Sequence, residues 1–336
     1  MNKLNSTETT FRKLLVQIQQ TRQKVFTTAN TSLMELYWHI GHTISDKVQR
    51  EAWGKGVVSE LAHYIAQHAP EVKGFSDKNL WRMKQFYETY KGDEQLSALA
   101  RVLPWTHNTT IFSRCKSPEE RRFYLALCHK EKYSSRELER QIDSASFERA
   151  SLNPPKLSAA LRVIQPAVDE AFKDQYVLEF LGLPELHSEN DLKRALVRHM
   201  KAFVLELGKD FLFVSEEYRL QVGNQDFYID LLFYHRNLSA LVAFELKIGQ
   251  FKPEHMGQLN FYLEALDRDV KKPHENPSMG VLLCRDKDDE VVEYALSRNL
   301  SPALVAQYQL QLPDKKLLRS KLHELLAQEW GVTHEK

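Results

Sequence analysis

Three charges stand in runs of sequence that otherwise exclude charge. Asp226-Phe-Tyr-Ile-Asp230-Leu-Leu-Phe-Tyr234 and Leu241-Val-Ala-Phe-Glu245-Leu-Lys247-Ile248 are short, rich in aromatic and β-branched residues, and separated by the turn-like His235-Arg-Asn-Leu-Ser239. That is the grammar of two neighbouring strands of one sheet. Side chains alternate along a strand, so Glu245 and Lys247 project from one face while Phe244, Leu246 and Ile248 pack on the other. If the strands pair, Asp230 joins them. An ionised carboxylate withdrawn from water is strongly disfavoured unless it is paired or ligated to a metal. Two carboxylates beside one ammonium leave a surplus negative charge that calls for a cation, and hard oxygen ligands favour Mg²⁺, with Mn²⁺ able to substitute.

The residues that follow extend the pattern. Gly249 and Lys252-Pro253 lead into a helix-like stretch, Glu254-His-Met-Gly-Gln258-Leu-Asn-Phe-Tyr262-Leu-Glu-Ala-Leu266, with proline placed at the helix start. Gln258 and Tyr262 are four apart and share a helix face. Asp230, then Glu245 fifteen positions on, then Lys247, resembles the Asp-x(n)-(Glu/Asp)-x-Lys signature of the PD-(D/E)xK nuclease superfamily. Gln-x-x-x-Tyr after the lysine strand resembles its RecB-like and lambda-exonuclease-like branch. The joined text DFYIDLLFYH, FELKIGQFKPEH, NFYLEALD and VVEYAL, with GFSDKNLWRMKQFY and LPWTHN upstream, resembles the bacterial YhcG family over nearly the whole chain.

That resemblance implies an α/β restriction-endonuclease-like core of order αβββαβ on a mixed sheet. It also implies a metal-dependent deoxyribonuclease, an endonuclease in preference to an exonuclease, with a setting in restriction or mobile-element defence. DNA is the implied partner, and the residues leave RNA open. Glu206, at the end of the helix before the first strand, falls where such nucleases often place an additional acid at the metal; its other reading is a solvated helix-end carboxylate. Ile229 stands where the signature's name has proline, a position that shapes the strand rather than the metal.

On this reading Mg²⁺ is held by Asp230, Glu245 and the carbonyl of Leu246, and Lys247 orients or activates the attacking water. Lys247 as a plain counter-ion is the bland alternative. Gln258 and Tyr262 either touch substrate or, as tyrosines at helical spacing usually do, belong to the core. Lys252 either meets a phosphate or is solvated. Two rivals from other classes stand beside the nuclease. One is a catalytically silent nucleic-acid-binding or assembly protein, although all three signature charges are present. The other is a glycosidase built on a carboxylate pair, in which Lys247 has no obvious task.

The elements that must position these residues fall into a second domain, 189–336, whose helix (Asp191 to Leu207) and strand from Phe211 precede the two charged strands. Residues 1–150 read as a helical domain with a helix-turn-helix outline, in which Ser76 is a natural N-cap for the helix from Asp77 to Tyr90. Lys78, Arg82, Lys84 and Gln85 on that helix are candidates for a DNA-reading face, or ordinary solubilising residues. Residues 151–188 read as a linker and bridging segment, because Pro154-Pro155 forbids a helix there, and a fragment starting near Gln165 is expected to fold alone.

Charge divides in the same way: residues 1–150 hold 23 Lys/Arg against 17 Asp/Glu, and residues 151–336 hold 23 against 28. A basic first half suits phosphate contact and an acidic second half suits clustered carboxylates. No apolar run reaches membrane-span length, the first residues show no signal-peptide core, and three cysteines have no metal-like spacing. The expectation is a cytoplasmic protein with reduced thiols. Cutting both strands of a duplex in one encounter needs two sites related by a two-fold axis, so a homodimer is expected, with Leu33, Leu36, Tyr37 and Ile40 as a candidate interface stripe or, equally, part of the domain's own core.

Overall fold

The structure is a computed structural model that describes residues 2–331 except 52, 165–167 and 169–170, with the side chains of residues 11–325 other than these and 164. The chain divides into two compact units, residues 1–142 and 143–336.

The first unit is helical: α1 (Asn2–Arg50), α2 (Lys55–His68), α3 (Asp77–Tyr90), α4 (Glu94–Val102), α5 (Trp105–Arg114), α6 (Pro118–Glu131) and α7 (Ser135–Asp143). Ser76 caps α3, its side chain accepting from Asn79 N–H at 3.4 Å. Leu80, Met83, Phe86 and Tyr90 recur at helical spacing and are buried. Leu80 and Met83 share a core with Met34, Tyr37 and Ile44 of α1 and Val58 of α2. Gly41 lets α1 and α3 meet backbone to backbone, since a Cβ there would lie 2.1 Å from the carbonyl oxygen of Met83.

Tyr37 and Ile40 therefore belong to this unit's own core, whereas Leu33 and Leu36 stay exposed. Further exposed apolar side chains recur earlier on α1, among them Phe11, Leu14, Ile18, Val25 and Phe26. On α3, Lys78, Arg82 and Gln85 share an exposed face, while Lys84 pairs with Glu88 at 2.7 Å and lies over the Trp81 ring.

The second unit is a six-stranded mixed sheet of order β1-β6-β5-β4-β3-β2. Two short helices, α8 (Ser146–Leu152) and α9 (Ala159–Ile164), and strand β1 (Gln175–Val177) come first. α9 and β1 fall within the 151–188 segment, and β1 runs parallel to the far strand β6 (Ala303–Gln309). Next come α10 (Glu189–Arg198), α11 (Met200–Leu207), β2 (Phe211–Val222), β3 (Gln225–His235) and β4 (Ala240–Gln250). Then follow α12 (His255–Ala265), β5 (Met279–Asp286), α13 (Asp289–Ser297) and, after β6, α14 (Lys315–Gly331).

From α11 to β5 the expected αβββαβ order is present. The antiparallel meander β2-β3-β4 passes through α12 into parallel β5, as a parallel connection requires a crossover. One apolar layer packs Leu192, Leu196 and Phe203 of α10 and α11 on Phe233, Phe244 and Leu246. The other packs Leu259, Tyr262 and Leu263 of α12 on Leu232, Ala243 and Leu282. Among the described residues no helix is long and apolar enough to cross a membrane. Cys115, Cys128 and Cys284 are buried and form no disulfide.

Candidate active site

Phe244 and Leu246 bury into one layer and Ala243 into the other, so β4 alternates as its sequence demands and sends Glu245 and Lys247 to the α12 side. β3 does not alternate throughout. Ile229 and Leu231, two residues apart, bury into opposite layers, which breaks the strand's period at Asp230. Across from it Glu217 of β2 has φ of 45°, a left-handed conformation in mid-strand, and the β2/β3 register also shifts between Phe213 and Ser215. The β3/β4 pairing runs from His235 opposite Ala240 to Leu231 opposite Phe244 and stops there. Beyond that point Asp230 Oδ2 accepts the backbone N–H of Leu246 at 2.9 Å.

Glu245 is only 3% exposed. Lys247 Nζ donates to its Oε1 at 2.8 Å, while Oε2 is buried without a hydrogen-bond partner among the described residues. Burial, reinforced by the negative charge of Asp230, pushes the Glu245 carboxyl up to about 7 despite Lys247. Lys247 is held charged by Glu245, Glu189 and Asp230, whose attraction outweighs its burial.

Gln258 Nε2 donates to the Tyr262 hydroxyl at 2.7 Å, and that hydroxyl is raised by burial and by the nearby acids Glu245 and Asp230. Tyr262 is also part of the α12 core, so its ring packs and its hydroxyl points toward the charged cluster's field. Lys252 is exposed, paired loosely with Glu254 at 3.7 Å, and makes no ion pair with Asp230 or Glu245.

Glu206 is placed elsewhere, which corrects the expectation that it shapes the metal site. It is fully buried on α11, where Oε1 accepts Val177 N–H of β1 at 3.1 Å and lies 3.4 Å from Lys173 Nζ and 3.8 Å from Arg149. Those contacts tie β1 and α8 to α11. The helical acid at the site is Glu189, the first residue of α10 after the Ser188/Asp191 capping box, 3.7 Å from Lys247 Nζ. One turn later Lys193 lies 3.5 Å from Asp230 Oδ1 and 2.7 Å from Glu217. His255 also faces the cluster: burial and the Lys247 charge lower its pKa, and its Nδ1 lies 3.2 Å from Lys252 N–H.

Glu189, Lys193 and His255 carry no signal of a site in the sequence, and Glu217, like Glu216, reads there as a surface residue of the first strand. Its side chain is indeed 60% exposed, yet it pairs with Lys193 beside Asp230. An acid in a helix's first turn reads as dipole compensation and a lysine one turn later reads as solvated, so neither carries a sequence signal of its own.

The oxygen donors suit a hard cation. Asp230 and Glu245 meet where β3 and β4 part, and the orphaned Glu245 Oε2 is a buried acceptor that a cation would satisfy. Among the described residues no three His, Cys, Asp or Glu side chains converge as a ready-made metal cage. Two carboxylates and a carbonyl accord with an ion such as Mg²⁺, which keeps waters and substrate oxygens in its shell.

Residues 169–323 match the family described as YhcG PDDEXK nuclease domain, and residues 13–149 match the DUF1016 N-terminal domain. The chain belongs to the YhcG family, whose second half is a nuclease domain of the PD-(D/E)xK type. It is 32% identical to the "Putative nuclease YhcG" of Escherichia coli (strain K12), over 91% of this chain and 90% of that protein. Two solved structures resemble it at a distance. The crystal structure of a repair endonuclease from Pyrococcus abyssi is 14% identical, covering 39% of this chain and 50% of that one, with a TM-score of 0.26. The EndoMS–dsDNA complex is 15% identical, covering 39% and 47%, with a TM-score of 0.27. Nucleases of the PD-(D/E)xK type generally use divalent metal ions.

Proposed function

We propose that this protein is a Mg²⁺-dependent endonuclease that hydrolyses phosphodiester bonds of DNA, Mn²⁺ being able to replace Mg²⁺, and that it works in the cytoplasm as a homodimer. The observation that carries this reading is the convergence of Asp230, Glu245 and Lys247 where β3 and β4 part, with Glu245 Oε2 left as an unsatisfied buried acceptor. A silent descendant of the fold has no use for such an atom, which is costly to keep in an apolar setting. Restriction or defence against mobile elements is the setting that the family resemblance implies for such an activity.

Asp230, Glu245 and the carbonyl of Leu246 would hold the cation, which supplies neutralisation of charge on the phosphodiester and a lowered pKa for the attacking water. The chain's own residues do the rest. Leu246 N–H fixes the Asp230 carboxylate so that Oδ1 is directed into the site. Lys247, held between Glu245 and Glu189, is placed to orient that water and to stabilise charge accumulating on the phosphate. Gln258 and Tyr262 form a hydrogen-bonded pair on the neighbouring helix that suits contact with the substrate backbone. Lys78, Arg82 and Gln85 offer a DNA contact on α3 of the first unit, and Lys252 offers a phosphate contact at the approach to α12.

The test is to incubate the purified protein with supercoiled, linear, branched and single-stranded DNA, and with RNA, with and without Mg²⁺ or Mn²⁺. Asp230→Asn serves as the control. Metal-dependent cleavage lost in the variant supports the reading, and equal cleavage by wild type and variant refutes it.

A further inference from the structure

The site holds one ammonium that the nuclease signature does not explain. Lys193 has a side chain only 15% exposed, so its charge is directed among carboxylates instead of into solvent, where a lysine on a helix surface would sit. It has two partners: Glu217 at 2.7 Å and Asp230 Oδ1 at 3.5 Å. Glu217 is itself unusual. Its left-handed backbone (φ 45°) is strained for a residue other than glycine, and such strain persists where the surroundings impose it, often at functional sites. The strain falls at the register position opposite Asp230, where the period of β3 also breaks.

Charge balance gives the arrangement a meaning. With Glu245 deprotonated, Glu189, Glu217, Asp230 and Glu245 around Lys193 and Lys247 leave two negative charges in excess, the charge of one divalent cation. Lys247 makes its ion pairs with Glu245 and Glu189 and acts on Asp230 only at longer range, so Lys193 is the ammonium that pairs with Asp230 directly.

We propose that Lys193 is a placeholder for the divalent cation. It compensates Asp230 while the cation is absent and withdraws wholly onto Glu217 when the cation takes that carboxylate, an inference that rests on the metal-dependent reading above. Glu217 is 60% exposed, and ion pairs open to water are worth little, so the ammonium exchanges between its two carboxylates at small cost. The result is an Asp230 carboxylate that stays aimed beside Glu245 before any cation arrives, with its charge compensated by Lys193.

Calorimetric titration of the full-length protein with Mn²⁺ tests this on the wild type, Lys193→Met, Glu217→Gln and the double variant. Lys193→Met is expected to bind Mn²⁺ about five- to tenfold more tightly, the size of one partly screened charge interaction at this distance. Glu217→Gln is expected to weaken binding by a similar factor, because Lys193 then has only Asp230 to pair with. In the Lys193→Met background Glu217→Gln should change the affinity less than about twofold, which is the non-additivity that coupled residues show.

An unchanged affinity in Lys193→Met overturns the proposal. Equal weakening by Glu217→Gln in both backgrounds also overturns it, since Glu217 would then act on the cation directly. Lys193→Gln repeats the comparison should methionine impair folding. A wild type that takes up no Mn²⁺ refutes the metal-dependent reading itself and the placeholder with it, whereas a binding wild type with unresponsive variants refutes the placeholder alone.

Discussion

The backbone N–H of Leu246 and the carboxylate of Asp230 meet at 2.9 Å at the point where the β3/β4 pairing has ended. A side chain thus carries on the cross-strand bonding that the main chain gives up, and the residue doing so is the one whose other oxygen faces the site.

Asp230→Asn and Glu245→Ala are each expected to lower cleavage by at least about 100-fold and to abolish Mn²⁺ binding. Both should leave the metal-free fold intact or slightly more stable, because each removes one of two neighbouring like charges. Lys247→Ala should keep Mn²⁺ binding and lose turnover by about 100-fold or more. Single-turnover kinetics beside metal titration checks the split. Parallel loss of both in Lys247→Ala would make that residue a counter-ion only.

The Glu245 carboxyl, raised to about 7, sets a pH dependence whose sign is fixed. In the unfolded chain it titrates near the ordinary value of about 4.3, so between that pH and 7 the folded state holds the extra proton. Its contribution to the stability of the metal-free protein is fully present below pH about 4 and lost as pH rises through about 7, a change on the order of 3 kcal/mol. Denaturation of wild type and Glu245→Gln across this range in a chelating buffer measures it. The variant's curve should be flatter by that amount. Mn²⁺ affinity should rise over the same window, since binding displaces the proton.

Glu206→Ala should destabilise the second unit by about 3–5 kcal/mol, because Arg149 and Lys173 would lose a buried carboxylate partner. Mn²⁺ affinity per folded molecule should not change. A large loss of metal affinity with normal stability would return Glu206 to the metal site.

A fragment beginning at Asp143 should fold cooperatively, whereas one beginning at Gln165 should melt lower. The shorter fragment lacks α8, from which Arg149 donates to Gln175 O at 2.7 Å and Glu148 accepts from Arg319 at 3.3 Å. Equal melting temperatures would show that α8 is dispensable.

Light scattering on the full chain at micromolar concentration should give a dimer, and removing residues 1–28 should give a monomer. Tyr37 and Ile40 are occupied within their own core, whereas the first part of α1 exposes a run of apolar side chains that includes Phe11, Leu14, Ile18, Val25 and Phe26. A monomeric full-length protein removes the dimer, and a truncated chain that stays dimeric moves the interface elsewhere.

Asp230, Glu245 and Lys247 were legible in the sequence because charge in the middle of apolar strands has few structural explanations. The strand order was legible too, since strand periodicity and the turns at Gly223-Asn224 and His235–Ser239 separate β2, β3 and β4. Glu189, Lys193 and Glu217 were not, because each sits where a solvated charge is ordinary and only tertiary contact brings them to Lys247 and Asp230. Glu206 misled for the converse reason: a helix-end acid looks alike whether it faces a cation or, as here, Lys173 and Arg149. β1 went unread because a strand of three residues has too short a period to register, and its pairing with β6 is purely tertiary.

That pairing has a further effect during synthesis. Gln175 must wait for Gln307 before β1 can add to the sheet, so more than a hundred residues leave the ribosome before that edge is complete. Contacts so distant in sequence form late and slowly. Meanwhile β1 lacks its strand partner, although Glu206, whose carboxylate receives the Val177 N–H, is already made. The β1 edge of the nuclease-domain sheet is therefore closed only after β6 has left the ribosome.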